Sequence, residues 1–147
     1  MAKMNLWPVE ITQEIGVVGP AAILREQASQ LGQQTKNLVK AYVSGVRQEE
    51  DFVDYFVIEG PIINYRYHLF TASYPIDFYP ATINSDSSGT TYFAQNEEEF
   101  VECLQTIFSS PKTIKIIQAI IIRSKQEKPR QETIDDDFDD SDPFADE

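Results

Sequence analysis

Residues 51–73 read DFVDYFVIEGPIINYRYHLFTAS, two apolar-rich runs broken by Gly60-Pro61. In the first run Phe52, Phe56 and Ile58 alternate with Val53, Tyr55 and Val57. In the second, Ile63, Tyr65, Tyr67 and Leu69 share one side, and Asn64, Arg66 and His68 share the other. A period of two in segments rich in β-branched and aromatic residues predicts strands, and so short a break between them predicts an antiparallel pair.

Further strand signals lie on both sides of this pair. Leu38 to Arg47 is rich in Val and Tyr. Ile76 to Ile83 is interrupted by Pro80, and Thr90 to Ala94 follows the loop Asn84 to Gly89. Proline cannot donate to a ladder, so the Ile76–Ile83 strand is expected at a sheet edge. Tyr74-Pro75 and Tyr79-Pro80 mark turns open to a cis bond. Consecutive strands with short connections form a meander.

Helical signals flank the meander. Pro20 suits a first helical position, Ile23, Leu24, Gln27, Ala28 and Leu31 form one narrow face, and Gly32 reads as the stop. Before it, residues 1–19 lack a sustained period and read as an irregular or extended arm ending in Gly16, Gly19 and Pro20. After the strands, Asn96 with Glu99 forms a capping-box-like start for a helix carrying Phe100, Val101, Leu104, Ile107 and Phe108. Ser110-Pro111 opens another, containing Ile114, Ile116, Ile117, Ile120, Ile121 and Ile122. Those isoleucines also suit a strand, and the cap chemistry decides for helix. The expected fold is α+β: an antiparallel meander of four to five strands, with an N-terminal helix and two C-terminal helices packed on one face.

The Ile-rich helix is apolar on most sides and must be covered on most sides. The sheet and the preceding helix enclose it, or a second subunit does, giving a homodimer through this helix.

Charge divides the chain in two. Residues 1–126 hold 14 carboxylates and 10 basic side chains, and residues 127–147 hold ten and two, so the net charge of −12 splits into −4 and −8. We expect a single globular domain over 1–126 and a disordered acidic tail over 127–147, whose composition buries too little apolar surface to order itself. A mildly acidic body argues against direct binding of nucleic acid or an anionic membrane, both of which attract positive surfaces. The longest uninterrupted apolar run is too short to span a bilayer, and the first residues lack a secretory signal's apolar stretch, so a cytoplasmic setting is expected.

Catalytic signatures are sparse. His68 is the single histidine and Cys103 the single cysteine. Cys103 neighbours Glu99 and Glu102, whose carboxylates disfavour a thiolate. Glu97, Glu98 and Glu99 suit a helix's first turn better than a metal. The six glycines fit neither a phosphate-binding loop nor a dinucleotide fingerprint. No cofactor and no metal are expected. The aromatics Tyr55, Phe56, Tyr65, Tyr67, Phe70, Tyr74, Phe78 and Tyr79 lie on or near the sheet, where they serve as core, as a protein-binding surface or as a base-stacking platform.

The tail carries the sharpest signal. Over residues 135–144 the sequence DDDFDDSDPF sets two aromatics among carboxylates. As a linear motif, Phe138 and Phe144 fill apolar pockets while Asp139, Asp140 and Asp142, with Pro143, steer the segment to a basic groove on a protein partner. As a bland tail, the same residues only keep the chain soluble. The stretch resembles the acidic tip of bacterial single-stranded-DNA-binding proteins, which implies recruitment of DNA-maintenance enzymes. In that family the phenylalanine ends the chain, whereas Ala145, Asp146 and Glu147 follow Phe144 here. Asp-Pro-Phe also resembles motifs bound by endocytic adaptor appendages.

The sequence therefore favours a non-enzymatic acidic binding protein, an adaptor, inhibitor or immunity-type regulator that engages a protein partner through its acidic tail or surface. The alternatives are a single-stranded nucleic-acid-binding accessory protein with an acidic tail, and a small enzyme using His68.

Overall fold

The computed structural model describes residues 4–86 and 89–137, with side chains as far as Glu127. Helix α1 (Pro20–Gln34) precedes five strands, β1 (Lys40–Gln48), β2 (Asp51–Gly60), β3 (Tyr65–Tyr74), β4 (Ala81–Ser85) and β5 (Thr91–Ala94). Helices α2 (Glu97–Phe108) and α3 (Pro111–Asp137) complete the order, and a short 3-10 turn (Val9–Thr12) lies in the arm before α1. The sheet is an antiparallel meander with strand order β1-β2-β3-β4-β5.

The alternation of β2 holds in three dimensions. Phe56 and Ile58 are buried in one core with Phe70, Ala72, Ile83 and Ala94 from the sheet, Leu24 and Ala28 from α1, Phe100, Leu104 and Ile107 from α2, and Ile120 from α3. All three helices thus meet the same face. Tyr42, Val46, Tyr55, Val57 and Phe93 take the opposite face and do not join that core. Val53, also on that face, is nonetheless buried.

Three local expectations are corrected. Residues 76–80 form the connection before β4 rather than strand, so Pro80 owes the ladder nothing, and β4 lies inside the sheet while β1 and β5 are its edges. The Tyr79-Pro80 peptide is cis. Gly32 does not stop α1, which runs on to Gln34; instead its carbonyl accepts from the Asn37 N–H at 2.8 Å. The third correction is a bulge. Phe56 pairs with Phe70 but Val57 pairs with His68, leaving Leu69 as an extra, fully buried residue in β3.

The caps read from the sequence are present. Asn96 Oδ1 accepts from the Glu99 N–H at 2.9 Å, and Glu99 Oε1 accepts from the Gln95 N–H at 2.7 Å. Ser110 Oγ accepts from the Thr113 N–H at 3.3 Å, so the isoleucine-rich stretch enters as a helix. Its backbone continues past Gln126, the boundary suggested by charge, to Asp137. Where α3 crosses the end of β2, a Cβ on Gly60 would stand 2.6 Å from Ile120 Cγ2, so only glycine lets helix and strand come this close.

Candidate functional site

The tail residues Phe138, Asp139, Asp140, Asp142, Pro143 and Phe144 lie outside the described residues. Three features of the body carry chemistry: a groove beside α3, a polar chain on the open sheet face, and the arm before α1.

The groove runs between the C-terminal half of α1 and α3 and encloses about 670 Å³. Its floor is Phe56, Ile58 and Leu69 from the sheet with Phe108 from α2. Leu31 and Leu38 form one wall, and Ile114, Ile117 and Ile121 form the other. Gln27, Gln30, Gln34 and Gln118 line the rim, and its charged groups are Lys36 and Lys125, with no carboxylate among the lining residues. In a chain of net charge −12 this is a locally positive, apolar cleft. A second cleft of about 720 Å³ follows the other side of α3, between Ile116, Ile120 and Arg123 and the turn Ile62–Tyr65. The apolar girth of α3 is therefore only partly covered, and Ile114 and Ile122 remain 43% and 56% exposed.

The bulge in β3 assembles the polar chain. His68 and Thr71 are three residues apart and would face opposite sides of a regular strand; the extra residue Leu69 puts both on the open face. The Leu69 carbonyl accepts from the Asp86 N–H at 3.0 Å, which draws the Asp86 carboxylate to His68. Asp86 Oδ2 lies 2.5 Å from His68 Nδ1, and Thr71 Oγ1 lies 2.9 Å from His68 Nε2. With the ring proton on Nδ1 donated to Asp86, Nε2 is left as an acceptor for the Thr71 hydroxyl. The Tyr55 ring tilts over the imidazole at 5.7 Å. The order carboxylate, imidazole, hydroxyl is one that draws a proton from an alcohol.

Sequence reasoning singled out His68 but missed Thr71 and Asp86. Strict alternation placed Thr71 on the other face, and Asp86 is joined only through tertiary pairing. The aromatics divide in the same way. Phe56, Phe70 and Tyr74 are buried in the core, while Tyr55 is on the open face with Tyr42 and Phe93. Arg66 lies over the Tyr42 ring at 5.7 Å and within 3.6 Å of Glu59.

Other candidates have structural duties. Burial, with the Glu99 and Glu102 carboxylates adding to it, pushes the Cys103 thiol up from its ordinary value. Glu99 caps α2, and Glu97 Oε1 accepts from the Val18 N–H at 3.3 Å. Among the described residues no group of three or more potential ligands is placed to hold a metal ion, and no helix is long and apolar enough to cross a membrane.

The arm is the most apolar exposed segment. Every residue from Met4 to Val18 is exposed, and Met4, Leu6, Trp7, Val9 and Ile15 are each more than 70% accessible. Among the described residues the arm is held at its root, where the Tyr79 hydroxyl donates to the Val18 carbonyl at 3.0 Å, the Val18 N–H donates to Glu97 and the Phe78 ring packs against Gly19.

No protein family, curated protein or solved structure matches the chain.

Proposed function

We propose that this protein is a non-enzymatic binding protein, of the adaptor, inhibitor or regulator kind, that engages other polypeptides. The α1–α3 groove receives an apolar segment flanked by carboxylates. The observation that carries this reading is the lining: aliphatic walls, a glutamine rim, and lysines as the charged groups in an otherwise acidic chain. Burying one Leu, Ile or Phe side chain contributes about 1.5–3 kcal/mol. Two or three such anchors supply about 3–9 kcal/mol, and with association costing at least about 4 kcal/mol the complex is weak, about submillimolar at best. Glutamines at the rim satisfy backbone groups of a bound segment without imposing a sequence.

The tail has the complementary chemistry. Phe138 and Phe144 among Asp139, Asp140 and Asp142, with Pro143, suit a second contact to a basic groove on the protein partner. A cytoplasmic setting agrees with the single cysteine, unpaired and half-buried.

The test is peptide selection on the immobilised full chain. Selected sequences should pair two or more large apolar residues with nearby Asp or Glu. Ile114→Asp should abolish their binding while cooperative unfolding is retained, since Ile114 is already 43% exposed. Binders without apolar anchors, or binding indifferent to Ile114→Asp in a folded variant, would refute the reading.

A second reading, a small enzyme, draws on the Asp86–His68–Thr71 chain. With Thr71 as nucleophile, His68 as base and Asp86 as orienting group, activated esters are the natural probe. Turnover lost in both Thr71→Val and His68→Ala would favour catalysis; no turnover above buffer would leave the chain as a surface hydrogen-bond network.

A further inference from the structure

We propose that the arm before α1 of one copy seats in the α1–α3 groove of a second copy, so that two chains exchange arms. The inference rests on reading the groove as a binding site, and names its resident occupant.

The arm requires a cover. Met4, Leu6, Trp7, Val9, Ile11 and Ile15 are 60–81% exposed within twelve residues, a density of apolar side chains that water does not favour. Arm and groove also match in charge. The arm's charged residues between Met4 and Val18 are Glu10 and Glu14, and those of the groove lining are Lys36 and Lys125.

The arm is rooted at the start of α1, where Val18 is held by Tyr79 and Glu97, whereas the groove lies along the helix's far half. Gly16, at φ +74° with nothing within 4 Å of its Cβ position, turns the chain in open space, and no arm residue from Met4 to Val18 is buried on its own body. Reciprocal exchange is isologous and closes at two copies. The acidic tail competes for the same cleft in principle. The arm offers many large apolar residues to aliphatic walls, and the tail offers two phenylalanines among charges.

Trp7 is the only tryptophan, so it reports the arm directly. In the full chain its emission should be blue-shifted at high micromolar concentration and should red-shift on dilution, in step with sedimentation falling from a dimer to the 16.8 kDa monomer. Leu6→Asp/Ile11→Asp in the arm and Ile114→Asp in the groove should each give a monomer with exposed Trp7 at all concentrations. Lys36→Glu/Lys125→Glu, confined to the rim, should weaken dimerisation about tenfold or less without touching the core. Mixing the arm variant with the groove variant should restore part of the blue shift, because one intact arm then meets one intact groove.

A monomer whose Trp7 stays fully exposed at every concentration would overturn the proposal. So would a blue-shifted monomer, which means docking within the chain. A dimer indifferent to both groove variants would overturn it too, by showing arms packed elsewhere. The groove reading is judged separately by peptide binding, so a failed arm exchange leaves that reading standing, whereas a groove that binds no peptide and no arm ends both.

Discussion

Replacing Tyr74 by phenylalanine removes one oxygen from the sheet and leaves a buried carboxylate without its partner. Asp54, in the middle of β2, is 6% exposed, and Tyr74, at the end of β3, is 7% exposed. The Tyr74 hydroxyl donates to Asp54 Oδ2 at 2.5 Å. Pairing of Phe52 with Tyr74 and of Asp54 with Ala72 makes the two a diagonal cross-strand pair. On the other flank, Gly45 pairs with Asp54, and a Cβ there would stand 2.6 Å from Asp54 Oδ1. The Phe52–Tyr74 ring stack at 6.0 Å should survive Tyr74→Phe, so the change isolates the hydrogen bond. A hydrogen bond to a charged group contributes about 1.5–3 kcal/mol, and the orphaned acceptor keeps its desolvation cost. With a urea m-value of roughly 1–3 kcal/mol/M, the midpoint should fall by about 1 M at constant slope. Tyr74→Phe/Asp54→Val should recover most of the loss, because removing both partners removes the orphan. A loss below about 0.5 kcal/mol for Tyr74→Phe would mean that the carboxylate reaches water, and the account of this pair would be wrong.

Three further outcomes follow from the same physics. Burial, helped by Glu97, pushes Tyr79 up to about 12, and burial, the Asp54 hydrogen bond and its charge push Tyr74 up further against a smaller opposing effect of Arg25. The folded chain then holds protons that the unfolded chain releases near pH 10, so stability should be level below pH 10 and fall as pH rises through about 12, measured by urea midpoints. Tyr79→Phe should soften that fall. Among the described residues the Ser124 hydroxyl is fully buried without a hydrogen-bond partner, so Ser124→Ala should be neutral or stabilising by up to about 1–2 kcal/mol in thermal unfolding; a destabilised variant would reveal a partner for it. In the tail, Phe144→Ala should weaken capture of a protein partner about tenfold to a hundredfold and Asp139→Asn only slightly, because one apolar anchor contributes more than one screened charge. If both Phe138→Ala and Phe144→Ala leave affinity unchanged while charge removal abolishes it, the tail acts as a polyanion.

Much of this protein was legible in short-range pattern. Alternation in β2, proline at the start of α1 and α3, and Asn96 with Glu99 at α2 are local signals, and each fixes backbone conformation within a few residues of itself. That is why element order and fold class follow from the sequence alone. Pattern failed where a contact between distant segments decided the outcome. Residues 76–80 contain strand-forming side chains, yet they form the connection that delivers Ala81 to the interior of the sheet. One extra residue at Leu69 reverses the facing of everything after it in β3, so Thr71 joins His68, and Phe70, Ala72 and Tyr74 turn to the core. A period of two carries no mark of such a slip, because the residues on both sides of it are apolar enough for either face. Asp54 shares the core side of β2 with Phe52 and Phe56, and only the β2–β3 register supplies the Tyr74 hydroxyl that makes its burial tolerable. The groove belongs to the same class: its walls come from α1, the loop after it and α3, and its floor from β2, β3 and α2. The sequence by itself determined the order of helices and strands, since that depends on local sterics and capping. Tertiary structure decided where β4 begins and which side chains meet, since those depend on contacts between distant segments and on register.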